Sequence, residues 1–169
     1  MRTRIGIRLA IPLYLVSLGA PSHALATDKV MIGATEEVLL LSWGMRVRAR
    51  VDTGASTSSL DARDVRISGR RGARVVRFRL IGDTGTAVVE MPVADVHTVR
   101  TPDAKRPERR PTIELDMCVA GHRFSAEVTL NDRSHMKYRM LLGRNALAGR
   151  FVVDLKQTGS PPAVCPGGP

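Results

Sequence analysis

The 169-residue sequence predicts an all-β domain, a barrel or sandwich of short strands with little helix. Apolar and polar residues alternate at a period of two in several stretches, most plainly in Met45-Arg46-Val47-Arg48-Ala49-Arg50-Val51. Turn residues punctuate the chain about every 8–12 residues, the spacing of an antiparallel β fold. Beyond the first 26 residues no stretch keeps a helical period over a useful length.

Residues 1–26 read as an export signal rather than as fold. Arg2, Arg4 and Arg8 form a basic start, Leu9 to Ala20 an apolar run, and Ala24-Leu25-Ala26 a small-x-small cleavage site. The apolar run falls short of the ~20 residues that span a bilayer. Export to the periplasm follows as an expectation, with residues 27–156 as one domain and residues 157–169 as a flexible Pro/Gly tail.

Val38-Leu39-Leu40-Leu41 suits a strand buried on both faces, and Met45 to Val51 a half-buried strand. Leu60 to Ile67 reads as a short strand or turn, and Gly69 to Gly72 as loop. Val75 to Leu80 and Ala87 to Met91 flank Gly82-Asp83-Thr84-Gly85 as a hairpin. Val93 to Arg100 forms a further strand. Thr101 to Pro111, with three prolines and many charges, reads as an exposed connector. Thr112 to Val119 and Arg123 to Leu130 make a second hairpin about Gly121. Asn131 to Tyr138 is a polar loop, Met140 to Leu142 a short strand, Arg144 to Ala148 one helical turn, and Phe151 to Leu155 a last strand.

The net charge is +10, and the leader carries three arginines and no acids, leaving +7 on the rest. Only 4% of residues are aromatic, which with the export signal argues against nucleic-acid binding and for a basic surface facing an anionic envelope or an acidic substrate. Cys118 and Cys165 either form one disulfide in an oxidising compartment or remain a buried thiol and a loosely held one.

Chemistry concentrates at Asp52-Thr53-Gly54-Ala55-Ser56, where a carboxylate leaves an apolar strand for a turn of small residues. Far downstream, Met140-Leu141-Leu142-Gly143-Arg144-Asn145 supplies a matching turn. Together they resemble the two halves of a retropepsin-type aspartic protease subunit. Asp132-Arg133-Ser134-His135-Met136-Lys137-Tyr138-Arg139-Met140-Leu141-Leu142-Gly143-Arg144, with Arg110-Pro111 upstream, narrows the resemblance to bacterial retropepsin-like proteins often labelled ATP-dependent zinc proteases. The similarity runs from about Val38 to Leu155 and implies a single-lobe acid-protease barrel with one short helix near the C-terminus.

The resemblance implies an aspartic endopeptidase. That chemistry needs two carboxylates sharing a proton, one as base toward a water and one as acid toward the scissile carbonyl. The chain has a single Asp-Thr-Gly, so the second aspartate must come from a second copy, in a homodimer with both Asp52 side chains at the two-fold axis. By the resemblance Thr53 braces the loops across the axis, and Gly54 turns sharply and lets substrate approach. Ala55, Ser56, Arg144 and Asn145 are the candidate substrate-binding residues. Val51 and Leu141-Leu142 are expected to dry the underside of the pair. Retroviral enzymes place an aspartate where Ser56 stands, paired with the arginine after the downstream glycine; Asp132, Asp61 or Asp64 could take that place for Arg144.

A lid is expected from the hairpin of Val96 to Arg100 and Thr112 to Leu115, or else from Ile81 to Thr86. No cofactor and no metal site is read. His97, His122 and His135 are widely separated, no zinc or nucleotide motif occurs, and Cys118 with His122 is only a lone pair of donors. The alternative to a peptidase is a non-catalytic peptide- or protein-binding module of the same fold in the cell envelope. Chain copies and a peptide or protein are the expected partners, with no nucleic acid and no membrane span once the signal is removed.

Overall fold

The computed structural model describes residues 29–99, 108–160 and 164–165; the expected signal segment 1–26 and the tip of the expected lid lie outside them. Among the described residues eleven strands and one helical turn follow in order: β1 (Val30–Ile32), β2 (Thr35–Leu40), β3 (Met45–Val51), β4 (Ser58–Arg70), β5 (Ala73–Gly82), β6 (Gly85–Pro92), β7 (Asp95–Val99), β8 (Glu108–Val119), β9 (His122–Asn131), β10 (Met140–Leu142), α1 (Arg144–Leu147) and β11 (Phe151–Val153). Six of them close a ring in the order β10-β3-β2-β8-β9-β4, with β4 returning to β10. This is the all-β single-lobe barrel expected from the sequence. β5 and β6 continue outward from β4, β7 pairs with β8, and β1 with β11 forms a separate parallel ribbon.

Alternation drives the barrel. In β3 every second residue, from Met45 to Val51, is buried and the arginines between them face out. Val38, Leu60, Phe78, Leu80, Ile113, Leu115, Met117, Val128, Leu130, Met140 and Leu142 meet these in one core. The β8–β9 hairpin turns through Ala120 and Gly121, whose φ of 48° and 78° match a tight turn that follows sheet twist. Leu39 and Cys118, paired across β2 and β8, are buried outside that core, on the face where Cys165 returns to form a disulfide with Cys118.

Two elements differ from the sequence reading. β4 runs thirteen residues, from Ser58 to Arg70, rather than Leu60 to Ile67. A register shift between Arg63 and Arg66, with Asp64 at φ 55°, turns the strand out of the barrel; beyond it every β4 residue is exposed, so no alternation marks it. Glu108 to Pro111 belong to β8 rather than to a connector. Pro111 is tolerated because it pairs only with Val96 of β7, while the ladder to β9 begins at Thr112.

After β11 the chain returns along the β1–β2 turn. The Gly33 N–H and the Ser160 N–H and hydroxyl all donate to the buried Glu36 carboxylate, and Ala34 N–H donates to Gln157 O at 2.8 Å.

Candidate active site

Asp52 stands where β3 leaves the barrel. Its N–H donates to Leu142 O at 2.9 Å, extending the parallel β3–β10 ladder by one residue. Its Oδ1 accepts the N–H groups of Gly54 at 2.9 Å and Ala55 at 3.1 Å, an Asx-type turn that aims the carboxylate out of the loop. A Cβ on Gly54 would lie 3.2 Å from that oxygen. Gly54 is therefore wanted for space beside the carboxylate; it is not among the residues at positive φ, so the sharp turn expected of it is made without one. Thr53 and Gly54 are exposed at the loop tip, and Val51 beneath is buried.

The downstream turn holds this loop from below. Gly143 lies so close to the loop that a Cβ would sit 2.6 Å from the Thr57 carbonyl carbon and 2.7 Å from its oxygen. Arg144 N–H and Asn145 N–H donate to Ala55 O and Ser56 O, and Asn145 Oδ1 accepts both the N–H and the hydroxyl of Ser58 at 2.9 Å. The Asn145 amide donates in turn to Glu127 O. Thus Asp52, Thr53, Gly54, Ala55, Ser56, Arg144 and Asn145 come together, although about 90 residues separate the two halves in sequence. Leu142 lies fully in the core beneath, while its neighbour Leu141 faces outward.

Among the described residues Arg144 pairs with no acid. Its guanidinium donates to the carbonyls of Thr53 at 3.2 Å and Gly54 at 2.6 Å. Asp61, Asp132 and Asp64, its three candidate partners, are engaged elsewhere: Asp64 with Arg79, Asp132 with Arg63, and Asp61 with Arg63 and Arg139. Two backbone carbonyls give the cation a brace that needs no acid at position 56.

Sequence reasoning gave the Asp61 cluster no role of its own. The carboxylate is fully buried and takes Arg63 Nε at 2.9 Å, Arg63 Nη2 at 3.2 Å, Arg139 Nη1 at 2.5 Å and the Arg133 N–H at 2.8 Å. Burial pushes its pKa up, but the bonds from Arg63, Arg133 N–H and Arg139 outweigh that and hold it below the usual 3.8. Arg133 is itself buried; desolvation lowers its pKa, with Asp61 and then Asp52 acting the other way. The Asp-Arg-x-x-Met-x-Tyr run was the available signal, but nothing in it reveals that the arginine points inward.

Of the two lid candidates, Ile81 to Thr86 is tied to the wrong end of β3: Asp83 N–H donates to Arg46 O and Gly82 abuts Met45, a strand length from Asp52. The β7–β8 hairpin starts beside Arg63 and Asp132, where Glu108, Arg109 and Pro111 help line a cleft of about 350 Å³. Among the described residues no group of three His, Cys, Asp or Glu is placed to hold a metal, and the disulfide removes Cys118 as a donor beside His122.

The geometry defines a single-lobe aspartic-protease-like subunit, with one Asp-Thr-Gly loop clasped by a Gly-Arg-Asn turn. Residues 31–160 match the RimB-like family, described as retropepsin-like aspartic endopeptidase RimB, and the chain belongs to that family. A protein of Shewanella halifaxensis named "Probable alpha-L-glutamate ligase" is 33% identical over 135 residues, covering 77% of this chain and 29% of the relative. One of the same name from Parasynechococcus marenigrum is 35% identical over 133 residues, covering 76% and 28%. The chain thus spans less than a third of these curated relatives. The crystal structure of Lpg0085 from Legionella pneumophila, a protein of unknown function (DUF785), superposes with a TM-score of 0.66 at 25% identity, covering 79% of this chain and 98% of that one.

Proposed function

We propose that this chain is an exported homodimeric aspartic endopeptidase, in which Asp52 of each copy forms half of a proton-sharing carboxylate pair. The observation that carries this reading is the Asp52 carboxylate itself. One oxygen is held by two backbone N–H groups, the other has no hydrogen-bond partner among the described residues, and the loop around it is exposed at Thr53 and Gly54. A second such loop facing it would bring two carboxylates together, so that one stays protonated. The ionised one then takes a proton from water as that water attacks the peptide carbonyl, and the protonated one donates to the carbonyl oxygen.

Three further features support parts of the reading. The β1–β11 ribbon leaves Met31, Val152 and Leu155 exposed on chain segments that adjoin the Asp52 loop, an apolar surface suited to a second copy. The Cys118–Cys165 disulfide fits an oxidising compartment, in keeping with export. The exposed arginines of β4 and β5, among them Arg66, Arg70 and Arg77, suit an acidic peptide, and the relatives' name refers to an enzyme that handles glutamate.

Asp52→Asn tests the proposal. The variant is expected to keep the fold and the dimer, read by sedimentation, and to lose peptide cleavage; wild-type activity should favour mildly acidic pH and be blocked by a pepstatin-type mimic rather than a chelator. Cleavage undiminished in the purified variant, or a wild type that stays monomeric at high concentration, rejects it.

A further inference from the structure

Arg133 is a buried cation without an ion pair among the described residues. The three arginines around Asp61 are not equivalent. Arg63 and Arg139 form direct ion pairs with that carboxylate, while Arg133 offers it only a backbone N–H. The Arg133 guanidinium is instead seated by neutral groups: Nε donates to Tyr138 O at 3.2 Å and Nη1 to Ser59 Oγ at 2.8 Å. Nη2 has no hydrogen-bond partner among the described residues and is not fully enclosed, so it keeps some contact with solvent. An arginine that is 8% exposed and makes no direct ion pair among the described residues is costly, and such a cost is commonly kept where the charge has a use.

The pleat shows where that tip lies. Leu141 of β10 pairs with Ser59 on one side and with Arg50 on the other, so these three share the face opposite Leu60, Met140 and Val51 of the core. Asp52 follows buried Val51 and so projects to the same face. The same ladder carries on to Asp61, whose N–H donates to Arg139 O. One row therefore runs Asp52, Leu141, Ser59 with Arg133, then Asp61 with Arg139 and Arg63. Among the described residues Arg133 is the buried cation of this face with no ion pair, held in place by its neighbours, whereas Arg50 on the same face is exposed.

We infer that Arg133 is a specificity-determining residue of the cleft, its fixed guanidinium receiving a side-chain carboxylate of a peptide laid across Asp52. The seat made by Ser59 and Tyr138 orders the cation before binding, and Asp61 is saturated by the other two arginines, so it does not compete for Arg133. The inference rests on the peptidase reading for its reaction, but not for its binding geometry.

The test uses the disulfide-intact chain with Asp52→Asn, and two blocked peptides: alternating Glu and Ala, and the same peptide with Gln for every Glu. Blocked ends exclude terminal carboxylates, and about 0.15 M salt screens distant charge. By fluorescence anisotropy the Glu peptide is expected to bind at least about tenfold more tightly, as for a charge-assisted hydrogen bond. Arg133→Met brings the ratio to within about twofold, Arg133→Lys keeps most of it, and Arg139→Gln, which removes one charge from the same face, leaves it largely intact. If the methionine variant does not fold, Ser59→Ala, which frees the guanidinium, should lower the ratio and carries the test. A ratio unchanged in Arg133→Met, or one that falls as far in Arg139→Gln, overturns the assignment. An Arg133-dependent preference in a chain with Asp52 restored that cleaves neither peptide overturns the peptidase reading alone; cleavage indifferent to Arg133 overturns this one alone.

Discussion

Replacing Asp61 by Asn probes the group that organises the cleft wall. The carboxylate is fully buried and receives four donors, three of them from guanidinium groups. An amide of the same shape keeps one acceptor oxygen and turns an NH2 toward cations. Breaking a buried ion pair from one side costs about 3–5 kcal/mol. The side chains of Arg63 and Arg139 remain 20% and 39% exposed, so water can take up part of their charge and the cost falls to about 2–3 kcal/mol. For a domain of this size that corresponds to a melting point lowered by roughly 10 °C. Urea unfolding followed by circular dichroism measures it, with the slope unchanged if the native and denatured states keep their compactness.

The pH dependence supplies a second reading of the same variant. The folded carboxyl lies below 3.8, so its stabilisation is fully present above about pH 4 and is lost as pH falls through the folded value. The gap between wild type and Asp61→Asn should stay level from pH 5 to 8 and narrow below about pH 4. A loss under about 1 kcal/mol, or a gap that closes between pH 5 and 7, would refute the ion-pair account.

Gly143→Ala should be poorly tolerated, because the new methyl would fall on Thr57 backbone rather than on a side chain that can move; a loss at or above the upper end of about 1–3 kcal/mol is expected in thermal melts, and a neutral effect would show that the two halves of the site are not in contact. Cys165→Ser opens a loop with a sequence separation of 47; chain-entropy arithmetic gives about 4 kcal/mol, checked by comparing urea midpoints with and without reductant, and equal midpoints would contradict a formed disulfide.

The barrel was legible because its signals are local. The alternation of β3 and the paired apolar runs of β8 and β9 follow from one buried and one wet face, and Gly121 punctuates the turn between the last two. β4 reads short in the sequence because, beyond its bulge, it buries nothing and so carries no pattern. Glu108 to Pro111 reads as connector because proline argues against a strand in general; only the pairing scheme shows that Pro111 sits where one neighbour has not yet begun.

The Asp52 loop and the Gly143 turn could be matched in sequence because each is short and built of unusual residues, and the fold brings them into contact through backbone bonds that either half advertises. The partners of the charged groups could not be matched. Arg144 found two carbonyls, and Asp61 drew Arg63, Arg133 and Arg139, because a charge pairs with whatever lies within a few ångströms, and that distance exists only once β4, β10 and the loop between β9 and β10 are packed. Local order along the chain thus determined the strands and the Asp52 loop, and three-dimensional closure decided which charges pair with one another.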